Sequence, residues 1–138
     1  MLFNKITMEN IHLLKTFINL NTSNFFRYYN KRNINIIKNH LITLVLTNNN
    51  EIIGYGHLDF ENKIWLGICI LEKHTGNGYG KNIMNYLIDY ACKNKIKQIH
   101  LSVDKDNIIA RNIYEKYYFK TIKTTKNIYI MKKNIDIK

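Results

Sequence analysis

The chain has 138 residues, 46 % of them hydrophobic and 12 % aromatic, which is enough to close one core and predicts a single domain over 1–138. No apolar run approaches the roughly 18 residues of a membrane span, and the start MLFNKITMEN lacks a basic-then-apolar order, so a cytoplasmic protein is expected. Cys69 and Cys92 are too few for a disulfide framework and lack zinc-ligand spacing, so no metal is expected, while the net charge of +11 points to a polyanion, either a nucleic acid or an anionic ligand.

Residues 2–6 read as a first strand. Thr7 and Glu9 form a cap before the helical spacing of Ile11, Leu14, Phe17 and Ile18, which ends near Asn21. The stretch 24–39 is ambiguous, with Phe25, Phe26, Tyr28 and Tyr29 followed by a short helix through Ile34, Ile37 and Lys38. Three β-rich runs follow, His40–Thr47, Glu51–Phe60 and Ile64–Leu71, joined by NNN and ENK turns into an antiparallel meander. Ile83, Met84, Leu87, Ile88 and Ala91 then mark one face of a helix running to about Asn94. Gln98–Val103 is a strand, Ile108–Lys116 a helix, and Phe119–Lys123 with Ile128–Lys133 the last two strands. The fold class is therefore α/β (α+β), with a mixed, mostly antiparallel sheet of about seven strands and helices on both faces.

The segment Thr75-Gly76-Asn77-Gly78-Tyr79-Gly80-Lys81 lies between an apolar strand and a helix start, where backbone N–H groups and the helix dipole favour an anion. It is not a nucleoside-triphosphate loop, because Thr75 stands where that pattern has glycine and Asn82 follows Lys81. It is not a dinucleotide fingerprint either, because the third glycine position falls on Lys81. A phosphate at this turn and a purely structural turn are both compatible with the segment alone.

The segment resembles the signature of the GNAT superfamily of acetyl-CoA-dependent N-acetyltransferases, Arg/Gln-x-x-Gly-x-Gly/Ala between a strand and a helix. Thr75 departs from its first position. About 30 residues on, Asn107-Ile108-Ile109-Ala110-Arg111-Asn112-Ile113-Tyr114 and Phe119 resemble the family's Asn-x-x-Ala-x-x-x-Tyr-x-x-x-Gly-Phe stretch, with Tyr118 in place of the glycine. The resemblance follows the whole chain in element order. It implies a sheet splayed around acetyl-CoA, with main-chain groups of Ile68, Cys69 and Ile70 beside the pantetheine arm. It also implies that the N–H groups of Thr75, Gly76, Asn77, Gly78, Tyr79, Gly80 and Lys81 surround the pyrophosphate. Asn107 would bond the arm or cap its helix, and Tyr114 would protonate the departing thiolate, a task suited to a phenol that keeps its proton at neutral pH.

A base is less evident, because Ile64 stands about where the family often has a glutamate. His57 and Asp59, two apart on one strand and so on one face, are the best substitutes, with Glu72, His40 and a water-mediated route as alternatives. The segment FFRYYNKR with NHLITLVL, GYGHLD and WLGICIL resembles small family members that acetylate amino sugars on nucleotides. On that reading Arg27 pairs with a substrate phosphate and Tyr28 or Trp65 stacks on a sugar or base, with His57 beside them. A protein amine or another small amine would leave the same cofactor motif. A nucleic-acid-binding module is the reading of another class. It is disfavoured because lysine, asparagine and isoleucine are enriched over the whole chain rather than in one basic stripe. A homodimer is a compatible assembly.

Overall fold

The structure is a computed structural model and describes residues 1–137. Among the described residues, seven strands and three α-helices follow in chain order: β1 (Leu2–Lys5), α1 (Ile11–Leu20), β2 (His40–Asn48), β3 (Glu51–Glu61), β4 (Lys63–Ile70), α2 (Tyr79–Lys93), β5 (Gln98–Asp104), α3 (Ile108–Lys116), β6 (Lys120–Thr124) and β7 (Ile128–Asn134). Short 3-10 helices cover Met8–Asn10, Ile34–Asn39 and Glu72–His74. The expected helix before β2 thus exists as the second of these, and residues 22–33 run over the surface of β3 without an α-helix or strand.

The strands form one sheet in the order β1-β2-β3-β4-β5-β7-β6, antiparallel throughout except where β4 meets β5. The tight turns follow from asparagine: Asn49, Asn50 and Asn62 all have positive φ, a conformation this side chain tolerates better than most. At the start of the Met8–Asn10 3-10 turn that leads into α1, the Thr7 hydroxyl accepts from Glu9 N at 3.2 Å and Asn10 Oδ1 accepts from Thr7 N at 2.7 Å. Asparagine here completes the reciprocal cap.

Alternation along β2–β4 sorts side chains onto two faces. On one face Ile83, Met84, Leu87 and Ala91 of α2 pack on Leu44, Leu46, Leu58 and Leu66. Gly56 lets that helix approach, since a Cβ there would meet Ile83 at 2.5 Å. On the other face Leu14 and Phe17 of α1 pack on Val45, Tyr55 and Cys69. Thr43, His57 and Asp59 lie on this second face as well and are buried. Among the described residues no helix is long and apolar enough to cross a membrane.

Candidate active site

The parallel pair β4–β5 touches at a single register position, Trp65 opposite His100, and beyond it the two strands separate. Main-chain direction along β4 follows from one bond: Leu71 N donates to Ile53 O at 2.9 Å, so odd-numbered residues turn their polar groups to β3 and even-numbered ones to β5. Ile68 and Ile70 therefore present N–H and C=O groups to the gap. Cys69 does not. Its main chain faces Tyr55 on β3, and its side chain, with a thiol pushed up to about 12 by burial, lies on the α1 face against Asn21.

At the open end of the gap stands the glycine turn. Gly76 and Gly78 have φ of +83° and +81°, and a Cβ on either would meet nothing within 4 Å. Backbone conformation and open space on the outer side, rather than crowding within the protein, account for these glycines. Gly78 caps α2 with no side-chain hydrogen bond, and among the described residues the N–H groups of 76–81 find no acceptor. Such a run of free donors at a helix start is the donor set that a pyrophosphate requires. Thr75 turns its hydroxyl inward to Glu72 O at 2.9 Å, Asn77 donates to His74 O at 3.2 Å, and Lys81 is exposed. The Tyr79 ring sits edge-on to His74.

Across the gap, α3 starts with Asn107 Oδ1 accepting from Ala110 N at 3.3 Å, so this side chain is a cap whose amide N–H groups have no acceptor among the described residues. Tyr114 packs edge-on against Phe119 with ring centroids 5.9 Å apart. Its hydroxyl has no protein partner among the described residues, and burial, with the nearby Cys69, pushes it up to about 12. The Tyr118 position has φ of +69°, the left-handed conformation for which glycine is the usual residue.

The α1 face beside the gap holds a buried polar network. Tyr29, Tyr55 and His57 Nδ1 are linked at 2.6 Å each, and His57 Nε2 lies 3.6 Å from Asp59 Oδ2. Tyr28 donates to the same Oδ2 at 2.8 Å and contacts His40 Nε2 at 2.8 Å, while His40 Nδ1 and Thr43 Oγ1 are 2.7 Å apart. One assignment of protons satisfies these contacts, with every phenol and imidazole donating along the chain toward Asp59. Burial holds His57 well below its ordinary value and His40 at about 4, so both are neutral. Burial raises the Asp59 carboxyl, whose Oδ1 is buried without a partner.

Arg27, expected to meet a substrate phosphate, instead holds Asp104 in a two-pronged pair at 2.7 and 2.9 Å. This ties the 22–33 segment to the end of β5. Trp65 is half-buried, donates to Glu61 O at 3.1 Å and keeps its ring 5.5 Å from His100. Glu72 accepts from Thr22 at 3.3 Å and lies outside the buried network. The sequence reading gave no individual site role to Tyr29, Tyr55, Thr43, Gly67 or Asp104. The odd-numbered run Tyr55, His57, Asp59 was the available signal for a polar face on β3. Two surface concavities, of about 490 Å³ between α2 and β7 and about 230 Å³ between the end of α1 and residues 22–30, are lined by none of Trp65, Ile68, Ile70, His100, Asn107, Tyr114 or residues 76–81.

The sequence matches the Acetyltransferase (GNAT) family over residues 7–119. The chain belongs to this family. Its fold is similar to that of a GNAT-family acetyltransferase from Streptococcus pneumoniae (TM-score 0.81, 20 % identity, 98 % of this chain and 99 % of that one). It is also similar to a PaiA N-acetyltransferase from Thermoplasma acidophilum in complex with coenzyme A (TM-score 0.78, 19 % identity, 96 % and 98 %). A probable spermine N(1)-acetyltransferase from Bacillus subtilis subsp. natto is 35 % identical over 66 residues, a match spanning 44 % of this chain and only 43 % of that protein. For a GNAT acetyltransferase the co-substrate is acetyl-CoA, and the unpartnered donors of 76–81 and the open edge of β4 fit its pyrophosphate and its amide-bearing arm.

Proposed function

We propose that this protein transfers the acetyl group of acetyl-CoA to the primary amine of a small acceptor, the amino group of a nucleotide-linked amino sugar. The carrying observation is the gap between β4 and β5, bordered by free main-chain donors at its open end and by the α1-face polar network at its narrow end. The co-substrate supplies an acetyl thioester. The 76–81 N–H groups bind its pyrophosphate, and Ile68 and Ile70 hold its arm through main-chain hydrogen bonds. Tyr114 keeps its proton at neutral pH and gives it to the departing sulfur.

On the acceptor side, Asp59 is the group best suited to take the amine proton. Its raised carboxyl binds a proton more readily than an exposed aspartate, and Oδ1 is uncommitted. Tyr28 holds that carboxylate by donating to Oδ2 at 2.8 Å, and the neutral His57 ring stands 3.6 Å from the same oxygen, which makes them positioning residues. Trp65, half-exposed at the narrow end of the gap, would stack on the acceptor. The high positive charge of the chain favours an anionic acceptor over a polyamine or a basic peptide. A polyamine is nevertheless the second reading, supported by the partial match to the probable spermine acetyltransferase.

The test is release of free thiol from acetyl-CoA with a panel of acceptors: UDP-linked amino sugars, spermine, and a short peptide with an N-terminal alanine. Turnover with the sugar nucleotides above the others supports the reading; preferential turnover of spermine replaces it with the second. The Gly78→Ala variant should lose about tenfold or more in acetyl-CoA affinity, because its Cβ intrudes where the phosphates approach.

A further inference from the structure

One row of side chains crosses the sheet on the α1 face. Asp59 of β3 stands opposite Trp65 of β4, Trp65 opposite His100 of β5, His100 opposite Lys132 of β7, and Lys132 opposite Lys120 of β6. Lys63, two residues before Trp65, shares their face. Asp59, at the β3 end of this row, is covered by Tyr28 of the 22–33 segment, whereas Lys120 and Lys63 are exposed and Lys132 is partly exposed.

His100 is 4 % exposed, and its Nδ1 is buried without a hydrogen-bond partner. Burial and then the charges of Lys63 and Lys132 push its proton off, so the imidazole is neutral and hemmed in by cations. Other charges near the row are already engaged. Glu61, opposite Lys63, is 3.6 Å from Arg32, and Asp104 at the far end of β5 is held by Arg27. Three lysines around a half-exposed indole thus face outward with no acidic side chain in the row beyond Asp59.

We infer that the β5–β7–β6 face beside Trp65 is a phosphate-binding shelf that seats the diphosphate of a nucleotide-linked acceptor, with Lys132, Lys120 and Lys63 as its cationic groups. The argument is charge complementarity joined to place. The shelf begins at Trp65–His100, the point where β4 and β5 part, so a diphosphate lying on the lysines leaves the attached sugar next to the narrow end of the gap. Lysine suits this task because its ammonium is a mobile point charge that can follow either phosphate. The inference rests on the proposed acceptor class and names the residues that would select it.

Trp65 is the sole tryptophan, so its fluorescence reports occupancy of the shelf directly. The experiment is a titration with UDP of protein already saturated with coenzyme A, which keeps the probe off the glycine turn. Saturable, salt-sensitive quenching is expected, weakened about tenfold in Lys132→Gln and further in Lys120→Gln/Lys132→Gln. In the same variants the KM for a UDP-linked amino sugar should rise about as much while kcat and acetyl-CoA binding stay unchanged.

No change in Trp65 emission, or equal affinity in the lysine variants, overturns the shelf. So does a short duplex DNA that binds this face more tightly than UDP. UDP binding lost in Lys132→Gln, without acetylation of any sugar nucleotide, would keep the shelf and remove the proposed acceptor. Acetylation with an unaltered KM in both variants would do the reverse.

Discussion

The imidazole of His57 lies directly on Gly67, so that a Cβ added to Gly67 would meet the ring at 2.7 Å. The ring cannot withdraw, because Tyr28 and His40 stand against it with centroids 4.4 and 4.6 Å away. Gly67→Ala should therefore cost about 1–3 kcal/mol of stability by overpacking. A lower urea midpoint at unchanged slope is the expected result; a midpoint equal to the wild type's would mean that His57 is not seated there.

Tyr114 has a free hydroxyl and a proton affinity pushed up to about 12. Tyr114→Phe should lower kcat about a hundredfold and leave the acetyl-CoA dissociation constant nearly unchanged. Because the phenol stays protonated, the wild-type rate should show no loss attributable to Tyr114 between pH 7 and about 10. Steady-state rates across that range, with calorimetry on the variant, would settle both points, and an unaltered kcat removes Tyr114 from the chemistry.

Acid should weaken the fold through the buried imidazoles. His40 drops from its ordinary 6.5 to about 4 in the folded state. Between these values the unfolded chain binds the proton that the folded chain refuses, so stability is full above about 6.5 and declines as pH falls toward 4. His57 is shifted in the same direction, so it adds to the decline from the same onset near 6.5. Asp59, raised by burial, works with the opposite sign, favouring the folded state as pH falls. Each histidine contributes a slope of at most about 1.4 kcal/mol per pH unit. Urea midpoints from pH 7 to 4.5 should fall more steeply for the wild type than for His40→Gln; parallel curves would exclude His40 as the source.

Tyr118 holds φ of +69° just after α3 while its side chain is 77 % exposed. Tyr118→Gly should relieve about 1 kcal/mol of left-handed strain, at the expense only of a loose contact with Lys133. The readout is a rise in thermal midpoint. A fall would show that the aromatic contact outweighs the backbone.

Element order was readable from periodicity because the two faces of β2–β4 and the apolar stripe of α2 are strongly patterned. The glycine turn was readable because Gly76 and Gly78 serve a backbone conformation that few other residues reach. Relations across the sheet were not. The direction of the Cys69 main chain depends on the parity of β4 against β3, which no property of Cys69 itself signals. Arg27 meets Asp104 across 77 positions of sequence, so its guanidinium read as free until the fold placed the partner. Residues 22–33 gave no period because tertiary contacts to Tyr55, His57 and Asp59, rather than local hydrogen bonding, hold them.

The lone register contact at Trp65–His100 makes β1–β4 and β5–β7–β6 two half-sheets joined near one end. A ligand arm lying in the gap would act as the missing stretch of ladder, so the protein's cooperativity would become partly a property of its ligand. At a hundredfold excess over its dissociation constant, acetyl-CoA would add about 2.7 kcal/mol to the apparent stability by mass action alone. The abundance of the folded protein in a cell would then follow the acetyl-CoA supply, and a starved cell would hold less of the enzyme as well as less of what the enzyme consumes.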